Sequence, residues 1–390
     1  MKKKINTERT PIYRDAGFYL QDAGTTQKAF DNEKDHPWEP TEYIYSRYRN
    51  PSVVSAEKEL AKIEESGWAL LTQSGMSSVD IALSIFQRAD KNQTWLMFSE
   101  IYGGTNSFID KVLVERRGIN VQSFVPEQGA YDLKELEKTI KEVKPELIYF
   151  EIISNPMLMV SDALAIIYIA KKYGAMIIID NTFSSSYLWK PLDFGADLVI
   201  YSATKYLSGH GDLTAGAVCG NDPQLLANAL EYRKLVGHML SPDDANRLES
   251  QMKTFHLRFE KQCANAFALA IILEKHEMIE EVLYPGLKSH LSHANAKKLF
   301  GLKGFGAMIT FDLKGKNIEE KAKFRDSFIS SLKNTIPLIP SLGDVHTTLL
   351  PVEPVWGNKY PLHGMIRLSV GIEDISFLES TMIKTLNDLS

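Results

Sequence analysis

Along most of this chain, short and almost wholly apolar runs alternate with longer stretches in which apolar residues recur every three or four positions. Trp68-Ala-Leu-Leu-Thr72, Thr94-Trp-Leu-Met-Phe98, Asn120-Val-Gln-Ser-Phe124, Leu147-Ile-Tyr-Phe-Glu-Ile152, Met176-Ile-Ile-Ile-Asp180 and Asp197-Leu-Val-Ile-Tyr-Ser202 read as strands. The residues after Met76, those from Phe108 to Glu115 and those from Ser161 to Tyr173 read as helices. Ser161 or Asp162 would cap the start of the last and Gly174 its end. Such alternation implies an α/β fold with a mostly parallel sheet. Ligands of these sheets gather at the carboxyl ends of the strands, where Asn155, Asp180 and Lys205 all fall.

The ends of the chain break this rhythm. Asp31-Asn-Glu-Lys-Asp-His-Pro37 has neither helical nor strand periodicity, yet Tyr43, Tyr45, Tyr48 and nearby arginines are too aromatic a group for a disordered tail. The pattern predicts an extended arm that docks on another surface. A helical pattern begins at Val54 and is expected to stop at Gly67. Past Leu240 a long helical stretch, Ser241 to Lys275, spaces Met252, Phe255, Phe259 and Cys263 as core residues. Phe305 to Leu313 and Ile366 to Val370 then read as strands of a smaller α+β unit. The expected division is an arm over 1–57, a large domain over 58–245 and a small C-terminal domain over 246–390.

Composition narrows the function. With 390 residues, 44% of them hydrophobic and 24% charged, the chain has material for two or three cores. A net charge of -5 supplies no field for nucleic acid or an anionic membrane, so a small-molecule substrate is expected, with neither of those as partner. Cys219 and Cys263 fit no metal-ligand spacing, and a reducing compartment without a metal site is the expectation. Basic Met1 to Ile5 is followed by polar Asn6 to Thr10, unlike a secretory leader. Apolar runs such as Ala163 to Ala170 fall far short of the ~20 residues a membrane span requires. A cytoplasmic location is predicted.

The chemistry concentrates in Tyr201-Ser-Ala-Thr-Lys-Tyr-Leu-Ser-Gly-His-Gly-Asp212. Lys205 lies in a hydroxyl-rich turn after one buried strand, and Asp180 ends the preceding one. A lysine that can carry a carbonyl cofactor covalently, beside an aspartate that keeps a pyridine nitrogen protonated, is what pyridoxal 5'-phosphate requires. Ser74-Gly75-Met76 precedes a helix, whose first amides and dipole suit a phosphate. Ser202 and Thr204 would complete that cradle.

The lysine segment resembles that of the Cys/Met-metabolism, or trans-sulfuration, family of pyridoxal phosphate enzymes. That family includes cystathionine γ-synthases, cystathionine β- and γ-lyases, methionine γ-lyases and O-acetylhomoserine sulfhydrylases. The likeness recurs in order at Tyr45 to Pro51, Ser74 to Met76, Ile101 to Thr105, Ser154 to Pro156, Asp180 to Phe183, Tyr284 to Leu287, Ser341 to Asp344 and Ile366 to Asp374. It implies fold type I, Tyr102 as the residue stacking on the cofactor ring and as an acid, and Arg367 as a clamp for the substrate α-carboxylate, assisted by Ser341 and Asn155. It also implies that Tyr45 and Arg47 reach the cofactor phosphate of a neighbouring subunit, within a homotetramer built from dimers with shared sites.

Three readings of activity follow from that resemblance: γ-elimination on a sulfur amino acid, γ-replacement on an activated homoserine, and a binding or regulatory protein on the same fold. The first is preferred. The substrate wall departs from the family pattern. Gly104 stands where well-known methionine γ-lyases carry cysteine, and Pro340 where many cystathionine enzymes carry glutamate. Leu349 to Pro361 replaces the usual His-Pro-Ala-Ser stretch, and Phe183 a common tyrosine.

Overall fold

A computed structural model describes residues 9–36, 40–88, 93–127 and 129–389. Its larger sheet has seven strands: β1 (Trp68–Thr72), β2 (Thr94–Phe98), β3 (Asn120–Phe124), β4 (Leu147–Glu151), β5 (Met176–Asp180), β6 (Leu198–Tyr201) and β7 (Gly216–Gly220). The spatial order is β1-β7-β6-β5-β4-β2-β3, and β7 alone runs against the others. Every residue of β1, β4, β6 and β7 is buried, as a sheet covered on both faces demands, whereas the edge strand β3 exposes Asn120, Gln122 and Ser123. The smaller sheet is antiparallel in the order β10-β11-β9-β8, with β8 (Ile279–Leu283), β9 (Met308–Leu313), β10 (Thr348–Pro351) and β11 (Met365–Ser369). The α/β class, the mostly parallel sheet and the smaller α+β unit are therefore present.

Several boundaries differ from the sequence expectation. The arm contains a helix, Ala23–Asp35, opened by Asp22, whose carboxylate accepts the Thr25 N–H at 2.7 Å. Only Ala29 of this helix is buried, so its apolar period was too sparse to read. Residues 1–8 of the expected arm, including the basic start, and Pro37 lie outside the described residues. The next helix runs Pro51–Glu64, with Asn50 as its cap and proline in its first turn; it ends at Glu65 in the left-handed region (φ 57°) rather than at Gly67. Asp162, not Ser161, caps the helix Ala163–Lys172, and Gly174 follows it at φ 76°. The stretch from Ser241 to Lys275 is two helices, Pro242–Met252 and Phe255–Glu274. Packing of the large sheet continues through Ala245, Leu248, Met252, Phe255 and Phe259 to Cys263, and the small-sheet core starts at Ala266 in the same helix. We propose that the boundary between the two cores lies inside this helix, later than residue 245, because its two halves pack on different sheets.

Candidate active site

The carboxyl ends of β4, β5 and β6 open into a cavity of about 280 Å³ that also receives the start of the helix Gly75–Ser84 and residues 340–342 and 367 of the small unit. Gly75, Met76, Tyr102, Asn155, Asp180, Ser202, Thr204, Lys205, Ser341 and Arg367, all expected from sequence, line it together. A larger cavity, about 440 Å³, lies against β8 and Met157; none of these residues lines it.

Lys205 is placed by the turn that follows β6. Its backbone N–H donates to Ser202 O at 3.1 Å, and its Nζ donates to Ser341 Oγ at 3.0 Å. Ser341 can come this close because Gly343 sits at φ 84° with its Cα against the lysine turn; a Cβ there would lie 2.8 Å from Tyr206 N and 2.9 Å from the Lys205 carbonyl carbon. Burial, with Arg367 adding like-charge repulsion, brings the Lys205 ammonium down to about 8.

At the opposite end, Asp180 Oδ1 accepts the Thr182 N–H at 2.9 Å and Oδ2 lies 3.5 Å from the Tyr149 hydroxyl. Burial pushes its carboxyl up, against the hydrogen bonds from Thr182 and Tyr149, and among the described residues no basic side chain pairs with it. Glu151, which the sequence reading overlooked, stands directly across from Asp180 in the β4–β5 register. Its Oε1 accepts the Tyr102 N–H at 2.6 Å, and burial followed by the Asp180 charge holds its carboxyl well above the usual range. Its strand was visible in the sequence, but its neighbour was not, since strand pairing is long-range information.

Tyr102 is half exposed at the cavity mouth, just before the short helix Gly103–Phe108. Its ring lies over Gly104, where a Cβ would overlap Tyr102 Cε1. Arg367 is 4% exposed; Nη1 donates to Asn155 Oδ1 at 3.0 Å and Nη2 to Ser341 O at 3.1 Å. Burial lowers its guanidinium to about 10. Thr182, Phe183, Ile153 and Pro340 complete the lining, Thr182 accepting the Ser202 N–H at 2.9 Å.

Two expected residues are elsewhere. Arg47 donates to Lys234 O at 2.8 Å, and its Cζ lies 5.5 and 5.3 Å from the ring centroids of Tyr45 and Tyr48. Neither Tyr45 nor Arg47 lines the cavity of its own chain.

These residues fit pyridoxal phosphate. The Gly75 amide begins a ten-residue helix capped by Ser74, and a Cβ on Gly75 would come within 2.9 Å of Ser202 Cβ, so the glycine keeps the cradle narrow and its amides open. Asp180, partly buried and with no cation paired to it among the described residues, matches a pyridinium N–H, and Lys205 supplies the amine that would carry the cofactor.

Comparison with known proteins agrees. The family model described as Cys/Met metabolism PLP-dependent enzyme matches residues 1–387. A cystathionine beta-lyase of Lactococcus lactis subsp. cremoris is 36% identical, with 87% of each chain covered. An L-methionine gamma-lyase of Fusobacterium nucleatum subsp. polymorphum is 34% identical over 96% of this chain and 92% of its own. The crystal structure of cystathionine gamma synthase from Xanthomonas oryzae pv. oryzae in complex with cystathionine superposes with a TM-score of 0.84 at 28% identity, covering 97% of this chain and 92% of that one. With pyridoxal phosphate as its cofactor, the chain belongs to the Cys/Met-metabolism family of trans-sulfuration enzymes.

Proposed function

We propose that the protein is a carbon–sulfur lyase that removes the γ-substituent of a sulfur amino acid, cystathionine or methionine, giving a 2-oxo acid, ammonia and a thiol. The observation that carries this reading is the amine of Lys205, which donates to Ser341 Oγ at 3.0 Å in the cavity it lines with Asp180 and Arg367, and which burial makes easier to deprotonate. Relatives named as β- and γ-lyases support a lyase.

In this mechanism Arg367, Asn155 and Ser341 hold the substrate α-carboxylate and turn the Cα–H towards Lys205. Pyridoxal phosphate, when bound, supplies the electron sink that makes this proton removable. Gly75, Met76, Ser202 and Thr204 would hold its phosphate, and Asp180 its ring nitrogen. The Lys205 amine would take the Cα proton, hand it on to the bound cofactor's carbonyl carbon and, neutral again, take one from Cβ, which permits the sulfur on Cγ to leave. The Tyr102 hydroxyl donates a proton to the departing sulfur. Water then completes release of the 2-oxo acid and ammonia.

Solved synthase structures at 28–30% identity favour a second reading, replacement of the γ-substituent by an added thiol. The protein is also proposed to act in the cytoplasm as a homotetramer in which Tyr45 and Arg47, turned away from their own cavity, serve a neighbour's phosphate. The experiment follows the visible spectrum and 2-oxo acid release as L-cystathionine, L-methionine and O-acetylhomoserine are added with and without thiol. Release of 2-oxobutanoate from cystathionine or methionine is expected. Pyruvate from cystathionine would move the cleavage to Cβ, and a new thioether in place of 2-oxo acid would make the protein a synthase.

A further inference from the structure

The segment that replaces the family's usual stretch after Ser341 forms a strap from the small unit to the loop before Tyr102. It leaves β10, makes short helical turns at Glu353–Trp356 and Gly357–Lys359, and returns to β11. One end is fixed in the small unit: Val352 is fully buried with its N–H on Met365 O at 2.9 Å, and Arg325 Nη1 donates to Glu353 Oε2 at 3.1 Å. The other end is fixed on the large unit: Lys359 Nζ donates to Ser99 O at 3.1 Å and lies 3.4 Å from Glu100 Oε1, and the Tyr360 hydroxyl donates to Glu100. Ser99 and Glu100 lead directly into Tyr102. The strap thus ties the strand that carries Arg367 to the loop that carries Tyr102.

Trp356 stands at its centre, with its ring centroid 5.4 Å from Arg367 Cζ. That guanidinium is in an unusual position. It is almost fully buried, and among the described residues both of its hydrogen-bond acceptors are neutral and its Nε has no partner. A desolvated cation without a counter-ion tends to turn towards solvent or to tilt away from its acceptors. An indole face, with its negative quadrupole, is the best aromatic surface on which to hold such a cation. The indole supports the guanidinium on one side, and the bonds to Asn155 and Ser341 hold two of its nitrogens. We propose that Trp356 is a positioning residue, which holds the Arg367 guanidinium ready to receive the α-carboxylate of the amino-acid substrate. The inference rests on the reading of Arg367 as the carboxylate clamp.

The test uses the holoenzyme and its visible cofactor band, titrated with glycine and with glycinamide. Both ligands offer the same amine, and only glycine offers a carboxylate. Wild type is expected to prefer glycine. Trp356→Leu should lose about tenfold of that preference through weaker glycine binding, with glycinamide unchanged, the size expected when a desolvated cation–π contact is removed. Its KM for the amino-acid substrate should rise in parallel while kcat stays within about twofold. Trp356→Phe, which keeps an aromatic face, should restore most of the preference. A Trp356→Leu enzyme that keeps the wild-type preference, or that loses both ligands equally, overturns the proposal alone. A wild-type enzyme with no preference for glycine overturns the clamp reading and the proposal with it.

Discussion

Replacing Lys205 by methionine should stabilise the cofactor-free protein, and the gain should vanish at high pH. The lysine falls from an ordinary value of 10.5 to about 8 because burial, then Arg367, penalises its charged form. At about 1.4 kcal/mol per pH unit, a protonated Lys205 costs the folded state about 3 kcal/mol at pH 7. Losing its hydrogen bond to Ser341 takes back about 1 kcal/mol, leaving a net gain of about 2 kcal/mol for Lys205→Met. The sign follows from linkage. Below pH 8 both folded and unfolded chains hold the proton and the penalty is complete; between 8 and 10.5 only the unfolded chain holds it, so the penalty shrinks as pH rises. At pH 10 less than about 1 kcal/mol of it remains. Urea unfolding of the two cofactor-free proteins at pH 7 and pH 10 reads the difference directly, since all other titrations are common to both. An advantage for Lys205→Met that is absent at pH 7, or that does not shrink by pH 10, refutes the argument that burial strains the ammonium.

Three further experiments test the site. Gly104→Ala puts a methyl where the Tyr102 ring lies, so it should displace the ring, alter the cofactor's visible spectrum and lower kcat by about tenfold, with the melting temperature nearly unchanged. Asp180→Asn removes the partner for a protonated ring nitrogen and should lower kcat by at least about a hundredfold, measured on protein shown spectroscopically to hold cofactor. Arg47→Ala and Lys205→Ala chains, each inactive alone, should regain activity when their subunits are exchanged, because one mixed site would then be intact; exchange without recovery counts against shared sites.

What was legible in the sequence was local. Lys205, Asp180 and the Ser74 to Met76 turn each sit where a strand ends or a helix begins, and those junctions are marked by short, strong signals: an isoleucine run, a serine cap, a glycine. Resemblance extended the reading to Arg367 and Ser341, which local patterns alone leave ambiguous. The features that escaped depend on which distant segments meet. The helix Ala23–Asp35 is nearly all exposed and buries only Ala29, so it has no apolar stripe. The end of the helix Pro51–Glu64 falls on Glu65 because that residue takes the left-handed conformation usually left to glycine. Trp356 lies in a stretch that reads as an unpatterned loop, and its contact with Arg367 exists only once β10 and β11 are paired.

Glu151 matters most among these, because it changes how the charges of the site are arranged. It and Asp180 end neighbouring strands in direct register, Glu151 buried and Asp180 partly so, and the charge on one carboxyl opposes ionisation of the other. Asp180 accepts hydrogen bonds from Thr182 and Tyr149, which favour its anion; Glu151 has the Tyr102 N–H and is raised further by Asp180 itself. Glu151 is therefore raised further than Asp180, which leaves Asp180, where the ring nitrogen is expected, the readier of the two to ionise. Glu151, held towards its neutral form, anchors the backbone of Tyr102. At the other end burial, and after it repulsion from Arg367, makes the lysine shed its proton readily, while the arginine, lowered by burial only to about 10, keeps its own at neutral pH and waits for an anion. The residues proposed as ring partner, base and carboxylate clamp thus line one small cavity, in which burial moves Lys205 towards the neutral amine a base needs while the hydrogen bonds from Thr182 and Tyr149 draw Asp180 towards its anion against its own burial.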